Sequence, residues 1–256
     1  MSGLTLTALL PSLDPILIAI ICVIFLLAGI VKGFLGIGLP AAAMAFLTLI
    51  ISPTEAISLL WLPILFTNIF QFGRAPERRK IAADYVWFAI PLAASIFITS
   101  LFITEYPTSF LTVAIGCAMV IFSLNLLFGV TIPIGPGLAW QGIFGVVSGV
   151  LGGLSSIWSP PVAMYLIARN TPKERFIGAA GFLFLAGCVP LGIGLVMAEL
   201  ITWKVIVKST LGLVATLIGF RIGELMRSRV SQDRFRQIVL VAFLILGSRL
   251  IAIGLF

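Results

Sequence analysis

The stretch Gly29-Ile30-Val31-Lys32-Gly33-Phe34-Leu35-Gly36-Ile37-Gly38-Leu39-Pro40 begins as an apolar helix, carries a lysine inside it, and closes on glycines and a proline. Glycine enters turns without steric cost, and proline suits the first turn of a new helix. The spacing therefore predicts a helix to Leu35, a break at Gly36–Gly38 and a short second helix from Leu39. The pattern returns in the second half of the chain. Gly145-Val146-Val147-Ser148-Gly149-Val150-Leu151-Gly152 repeats five of the first eight residues at an offset of 116. It leads into Gly153-Leu154-Ser155-Ser156-Ile157-Trp158-Ser159-Pro160-Pro161, a second predicted break. Further on, Ser52-Pro53-Thr54-Glu55 matches Thr171-Pro172-Lys173-Glu174 at an offset of 119.

Around these breaks the chain is almost continuously apolar. Of 256 residues, 61% belong to the set AVILMFWYC and only 10% are charged, and the mean hydropathy is +1.23. A soluble domain carries about 25% charged residues, so a water-soluble globule is excluded. Long runs at about 16–35, 56–73, 85–104, 108–128, 138–152, 176–198, 203–222 and 236–256 approach or reach the length that crosses a bilayer as helix. Two shorter runs, about 39–51 and 157–168, follow the breaks and read as half-helices or re-entrant pieces. The fold class is all-α, a polytopic membrane bundle forming one transmembrane domain over 1–256. Repeat 1 covers about 15–128 and repeat 2 about 138–256, with five segments each. Five is odd, so the second copy is expected upside down relative to the first.

Charge placement gives the expected orientation. Arg74 through Lys80, the group Arg169, Lys173 and Arg175, and the run Arg227-Ser228-Arg229 through Arg234 and Arg236 are basic. The positive-inside rule puts them in the cytoplasm. The connections with Asp14, Glu55, Glu105 and Glu199 fall outside, with Lys204 snorkelling and both termini periplasmic. The net charge of +7 is then an orientation signal and not a nucleic-acid patch. The N-terminus lacks a basic n-region, so the first run is expected to be a mature helix and not a cleaved signal.

Several chemistries are removed by composition. The chain has no histidine, and Cys22, Cys117 and Cys188 lie singly within apolar runs as small buried hydrophobes. No catalytic residue, metal site or cofactor is assigned, and no G-x-x-x-x-G-K-[ST] loop for ATP is present. The oligomeric state stays open, a homo-oligomer included.

What remains is an anion site. A helix that starts inside the membrane aims unpaired N–H groups and a positive dipole end at whatever lies ahead. Two such starts related by a pseudo-two-fold axis are expected to meet near the midplane. Candidate binding residues are Lys32, Gly36, Gly38 and Pro40 at the first break, and Gly152, Gly153, Ser155, Ser156 and Trp158 at the second, with Asn68 nearby. Each has a plainer reading. Gly29, Gly33, Gly145 and Gly149 suit tight helix packing. Lys32 and Arg249 suit snorkelling. Ser155, Ser156 and Ser159 suit helix capping. Asn68 and Gln71 suit helix–helix hydrogen bonds, Asn125 and Gln141 a structural role, and Trp61, Trp87, Trp140 and Trp203 interface anchoring.

The G-x-x-x-G-x-x-G-x-G opening at Gly29–Gly38, its echo from Gly145 and the paired halves resemble the TauE/SafE family of sulfite exporters. The resemblance spans essentially the whole chain. It implies export of sulfite, sulfonates or related organosulfur anions across the bacterial inner membrane by a secondary transporter, with a small anion and the lipid bilayer as partners. Where that family commonly has G-x-G-G-G, this chain has Gly36-Ile37-Gly38-Leu39-Pro40. A passive anion channel on the same broken helices, or an uptake carrier for another small carboxylate or sulfonate, are the alternative functions.

Overall fold

The computed structural model describes residues 14–129, 134–135, 137–226, 229 and 231–256, so Arg227 and Ser228 of the third basic run and the segment before Asp14 fall outside it. The described residues form ten helices: α1 Pro15–Leu35, α2 Leu39–Leu47, α3 Pro53–Gly73, α4 Arg78–Leu101, α5 Thr108–Phe128, α6 Leu138–Ser155, α7 Ser159–Ala168, α8 Lys173–Met197, α9 Trp203–Met226 and α10 Gln232–Leu255. Eight of them are long and apolar enough to cross a membrane; α2 and α7 are the short pair.

Local chemistry fixes the starts. Asp14 accepts from the Ile16 amide at 2.9 Å ahead of Pro15, and Ser52 accepts from the Glu55 amide at 3.3 Å ahead of Pro53. Glu55 thus belongs to the first turn of α3 and not to a loop, where its carboxylate favours the helix dipole.

In a bilayer, helices associate through close packing because lipid is as apolar as leucine. Here the closest packing joins the two halves crosswise. Gly29 and Gly33 of α1 lie against the backbone of Thr216 and Phe220 in α9, where a Cβ would collide with a carbonyl oxygen. Gly145 and Gly149 of α6 lie against the backbone of Phe88 and Leu92 in α4, 2.6 Å from where a Cβ would stand. The packing role expected of these four glycines is the observed one. Both pairs run parallel, whereas α5 and α10 cross in opposite directions with Gly116 against Gly247. Other large contacts pair in the same way: α3 packs on α9 and on α8, and α8 packs on α4 and on α3. These largest pairings map onto one another when α1–α5 and α6–α10 trade places.

Several polar groups within the spans are tied to backbone. Pro63 removes the helical donor for the Leu59 carbonyl, and the Ser209 hydroxyl of α9 donates to it at 2.7 Å. Gln71 donates to the Ile177 carbonyl at 2.8 Å, the helix–helix bond anticipated for it. Trp61 departs from expectation: its indole donates to the Cys188 carbonyl of α8 at 3.1 Å, so it braces α3 against α8 instead of anchoring an interface. Trp87 and Trp203 are exposed, as anchors are, and Arg249 is exposed on α10.

Ion pairs sit near the helix ends. Lys208 of α9 meets Glu55 of α3 at 2.7 Å, and Arg175 of α8 meets Asp84 of α4. Glu55 and Arg175 are 120 residues apart at matching positions of the two halves, and the charges are reversed between the pairs.

Candidate functional site

Both predicted breaks exist. Helix α1 stops at Gly36, whose φ of 84° puts it in the left-handed region, with its amide donating to the Lys32 carbonyl at 2.7 Å. Gly38, at φ 97°, then starts α2 with Pro40 in the first turn. Helix α6 stops at Ser156, φ 57°, with its amide donating to the Gly152 carbonyl at 2.7 Å. Trp158 then starts α7 with Pro160 and Pro161 in the first turn.

The second break falls later than the glycines suggested. Gly152 and Gly153 are helical, and α6 runs on to Ser155. From Gly36 to Ser156 the offset is 120, not the 116 of the sequence alignment, so α6 carries one extra turn before its break. In the new register Gly29 matches Gly149, Gly33 matches Gly153 and Pro40 matches Pro160. Lys32 then matches Gly152, not Ser148. Gly152 and Gly153 make room for neighbours: a Cβ on Gly152 would stand 2.8 Å from the Trp158 ring, and one on Gly153 would strike the Thr99 hydroxyl.

The two breaks meet. Lys32, Gly38 and Pro40 from the first, and Trp158 and Ser159 from the second, line one enclosed cavity with Ile64, Asn68 and Phe184. It has room for about one water molecule. Ile64 and Phe184 lie in the middle of α3 and α8, so the cavity is inside the bundle and away from either end.

Lys32 does not snorkel. It is 1% exposed, its Nζ donates to Asn68 Oδ1 at 2.6 Å, and Nζ lies 6.0 Å from the centre of the Phe184 ring. Asn68 is held in turn by its own amide, which donates to the Ile64 carbonyl at 2.8 Å. An ammonium has three N–H donors, and the Asn68 oxygen takes one. Among the described residues no carboxylate forms an ion pair with Lys32; the paired acids are Glu55, Glu77, Asp84 and Glu224. A buried cation without a counter-charge is costly in a membrane.

Two other residues of the lining carry donors without acceptors. Trp158 Nε1 and the Ser159 hydroxyl are buried and unpartnered. The Ser156 hydroxyl is likewise buried and unpartnered, but it does not line the cavity. Backbone donors are fewer than the sequence implied. Pro40 deletes one first-turn amide of α2, and Pro160 and Pro161 delete two of α7. The amides left in the first turns are those of Gly38, Leu39 and Ala41, and of Trp158 and Ser159.

The capping role expected of the serines is not realised, since no side chain caps α7. Ser155 instead shapes the turn, donating to the Leu151 carbonyl at 2.5 Å and accepting from the Ile157 amide at 3.1 Å. Gly36 faces a separate open recess with Gln71, Arg74 and Ile177. Ile64 and Phe184 were not foreseen, because nothing separates them in sequence from other apolar residues of their runs.

No curated protein and no solved structure matches the chain. Residues 21–250, a stretch that contains both breaks and every residue lining the cavity, match the sulfite exporter TauE/SafE family, and the chain belongs to that family of membrane transporters.

Proposed function

We propose that the protein is a secondary carrier that exports sulfite or an organosulfur anion by alternating access, with the cavity between the two breaks as its binding site. One observation carries this reading: Lys32 is buried without a counter-anion and lines one cavity with Trp158 and Ser159, whose side-chain donors are unpartnered. An oxyanion supplies both the missing charge and several acceptors. Lys32 balances the charge, Asn68 orients the lysine, Trp158 and Ser159 donate to oxygens, and Gly38 lets the backbone approach. The closed cavity favours a carrier over an open channel, because a channel needs a continuous path.

The crosswise packing supports an inverted repeat, with α1–α5 and α6–α10 related by a pseudo-two-fold axis through the cavity. Rocking of one half against the other opens the site to each side in turn. The protein is placed in the bacterial inner membrane with Arg74–Lys80, Arg169–Arg175 and Arg229–Arg236 in the cytoplasm.

The test is flux in proteoliposomes with sulfite, sulfoacetate, sulfate and thiosulfate in competition. Saturable flux with counterflow is expected for sulfite or a sulfonate. Transport of none of the four sinks the substrate assignment, and unsaturable flux without counterflow makes the protein a channel.

A further inference from the structure

We infer that Lys32 is the proton-coupling group of the carrier, uncharged in the closed empty state and protonated when an anion enters, so that one proton crosses with each monovalent anion. This rests on the carrier reading above and adds to it what the coupling ion is.

The surroundings of Lys32 carry the argument. Its partner is a neutral amide oxygen, and a neutral amine donates to Asn68 Oδ1 as readily as an ammonium does. Its other neighbours at the cavity are Ile64, Phe184, Trp158, Ser159, Gly38 and Pro40, none of which carries a charge. There a neutral amine avoids the cost that an unpaired buried ammonium carries.

The elements packed around it offer no alternative site for the charge. Helix α2 has no titratable residue, and α7 has only Tyr165. Glu55 of α3 is paired with Lys208 of α9, and Glu224 of α9 with Arg74 and Arg221, all near helix ends. Lys204 begins α9, and Lys173, Glu174 and Arg175 begin α8. Asp233, Arg234, Arg236 and Arg249 of α10 are exposed. On α1 itself Cys22 lies almost three turns away. The buried Cys188 thiol of α8 is also uncharged and is engaged elsewhere, its Sγ donating weakly to the Trp61 carbonyl at 3.5 Å.

The step balances simply. The amine takes a proton from water on the side where the anion enters, giving an ammonium–anion pair with no net charge. That neutral pair is what moves between the two open states. On the far side the anion leaves, the ammonium loses its proton to water, and the empty site closes over an amine again.

The experiment uses methanesulfonate, the anion of a strong acid, because sulfite carries protons of its own. Calorimetric binding to the purified full chain in detergent, at mildly alkaline pH in buffers of different ionisation enthalpy, reads protons taken up per anion bound. About one proton is expected for the wild type and none for Lys32→Arg, since a guanidinium does not deprotonate. In liposomes loaded with a pH dye and clamped at zero potential, methanesulfonate entry is expected to acidify the lumen, one proton per anion. Methanesulfonate binding or flux with no proton uptake overturns the coupling and leaves the carrier reading intact. Proton uptake that persists in Lys32→Arg also overturns it. If that variant does not bind, the wild-type stoichiometry decides. Absence of any flux, with sulfite as well as methanesulfonate, overturns both readings.

Discussion

At Gly36 and at Ser156 the chain leaves a long helix through the left-handed region, returns an amide to the carbonyl four residues back, and starts a short helix over proline. The backbone plan is shared; the side chains are not. In the first half the position one turn before the break is Lys32, and the position that starts the short helix is Gly38. In the second half those same two positions hold Gly152 and Trp158. Large and absent side chains trade places: Lys32 and Trp158 both line the cavity, and at the second break the missing side chain of Gly152 leaves the room that Trp158 fills. Two breaks of one backbone plan can thus line an asymmetric site, with a lysine from one side and neutral donors from the other.

The largest expected effect comes from denying either half its close approach. Gly33→Val and Gly153→Val drive a branched side chain into the Phe220 backbone and into Thr99, and each should cost about 3 kcal/mol or more. Loss of folded protein in size-exclusion and melting assays is the outcome, equal in both halves. A tolerant half would show that the pseudo-symmetric packing is not needed on that side.

Lys32→Met breaks the charge asymmetry. Loss of a charged hydrogen-bond donor is worth about 1.5–3 kcal/mol, so anion affinity should fall about 10- to 100-fold. The melting temperature should hold or rise, because an uncompensated buried amine is gone. Unchanged transport in this variant would retire the lysine from the site.

Trp158→Phe sharpens the comparison by deleting Nε1–H while keeping a smaller aromatic ring. One neutral hydrogen bond is worth about 0.5–1.5 kcal/mol, which predicts affinity weakened about 2- to 10-fold in competition binding. An equal loss for apolar and polar inhibitors would assign the residue to packing alone.

Ser156→Gly asks whether the second break tolerates the residue type of the first. Ser156 stands at φ 57°, where an L side chain is strained by about 1–2 kcal/mol relative to glycine. The variant should melt slightly higher with transport unchanged, whereas Gly36→Ala, at φ 84°, should melt lower. A fall in transport with Ser156→Gly would instead give the unpartnered Ser156 hydroxyl a part in binding.

Much of this was readable beforehand, for reasons that differ by residue. The long spans announce themselves because lipid demands continuous apolar runs. The breaks do so because glycine and proline together have few other uses inside such a run. Lys32 stood out as the one cation in a repeated motif. The 120-residue register did not, because Gly152-Gly153-Leu154-Ser155 looks like a turn but is held as helix, its glycines filled by Trp158 and Thr99. Capping by the serines failed for a related reason: with prolines following, two of the amides that need a cap do not exist. Ile64 and Phe184 enter the site only through packing of α3 and α8, which no local pattern encodes. Lys208 drew no attention alone; its meaning comes from Glu55, on another helix.

The crosswise glycine seams also bear on biosynthesis. Ribosomes deliver α1 first, yet the surface that seats against Gly29 and Gly33 belongs to α9, with seven helices emerging in between. For that interval a lysine-bearing segment has neither its neighbour nor a finished interior, and it must be sheltered by the insertion machinery. A nascent chain cut short before α9 leaves the glycine face of its first helix without the backbone it packs on.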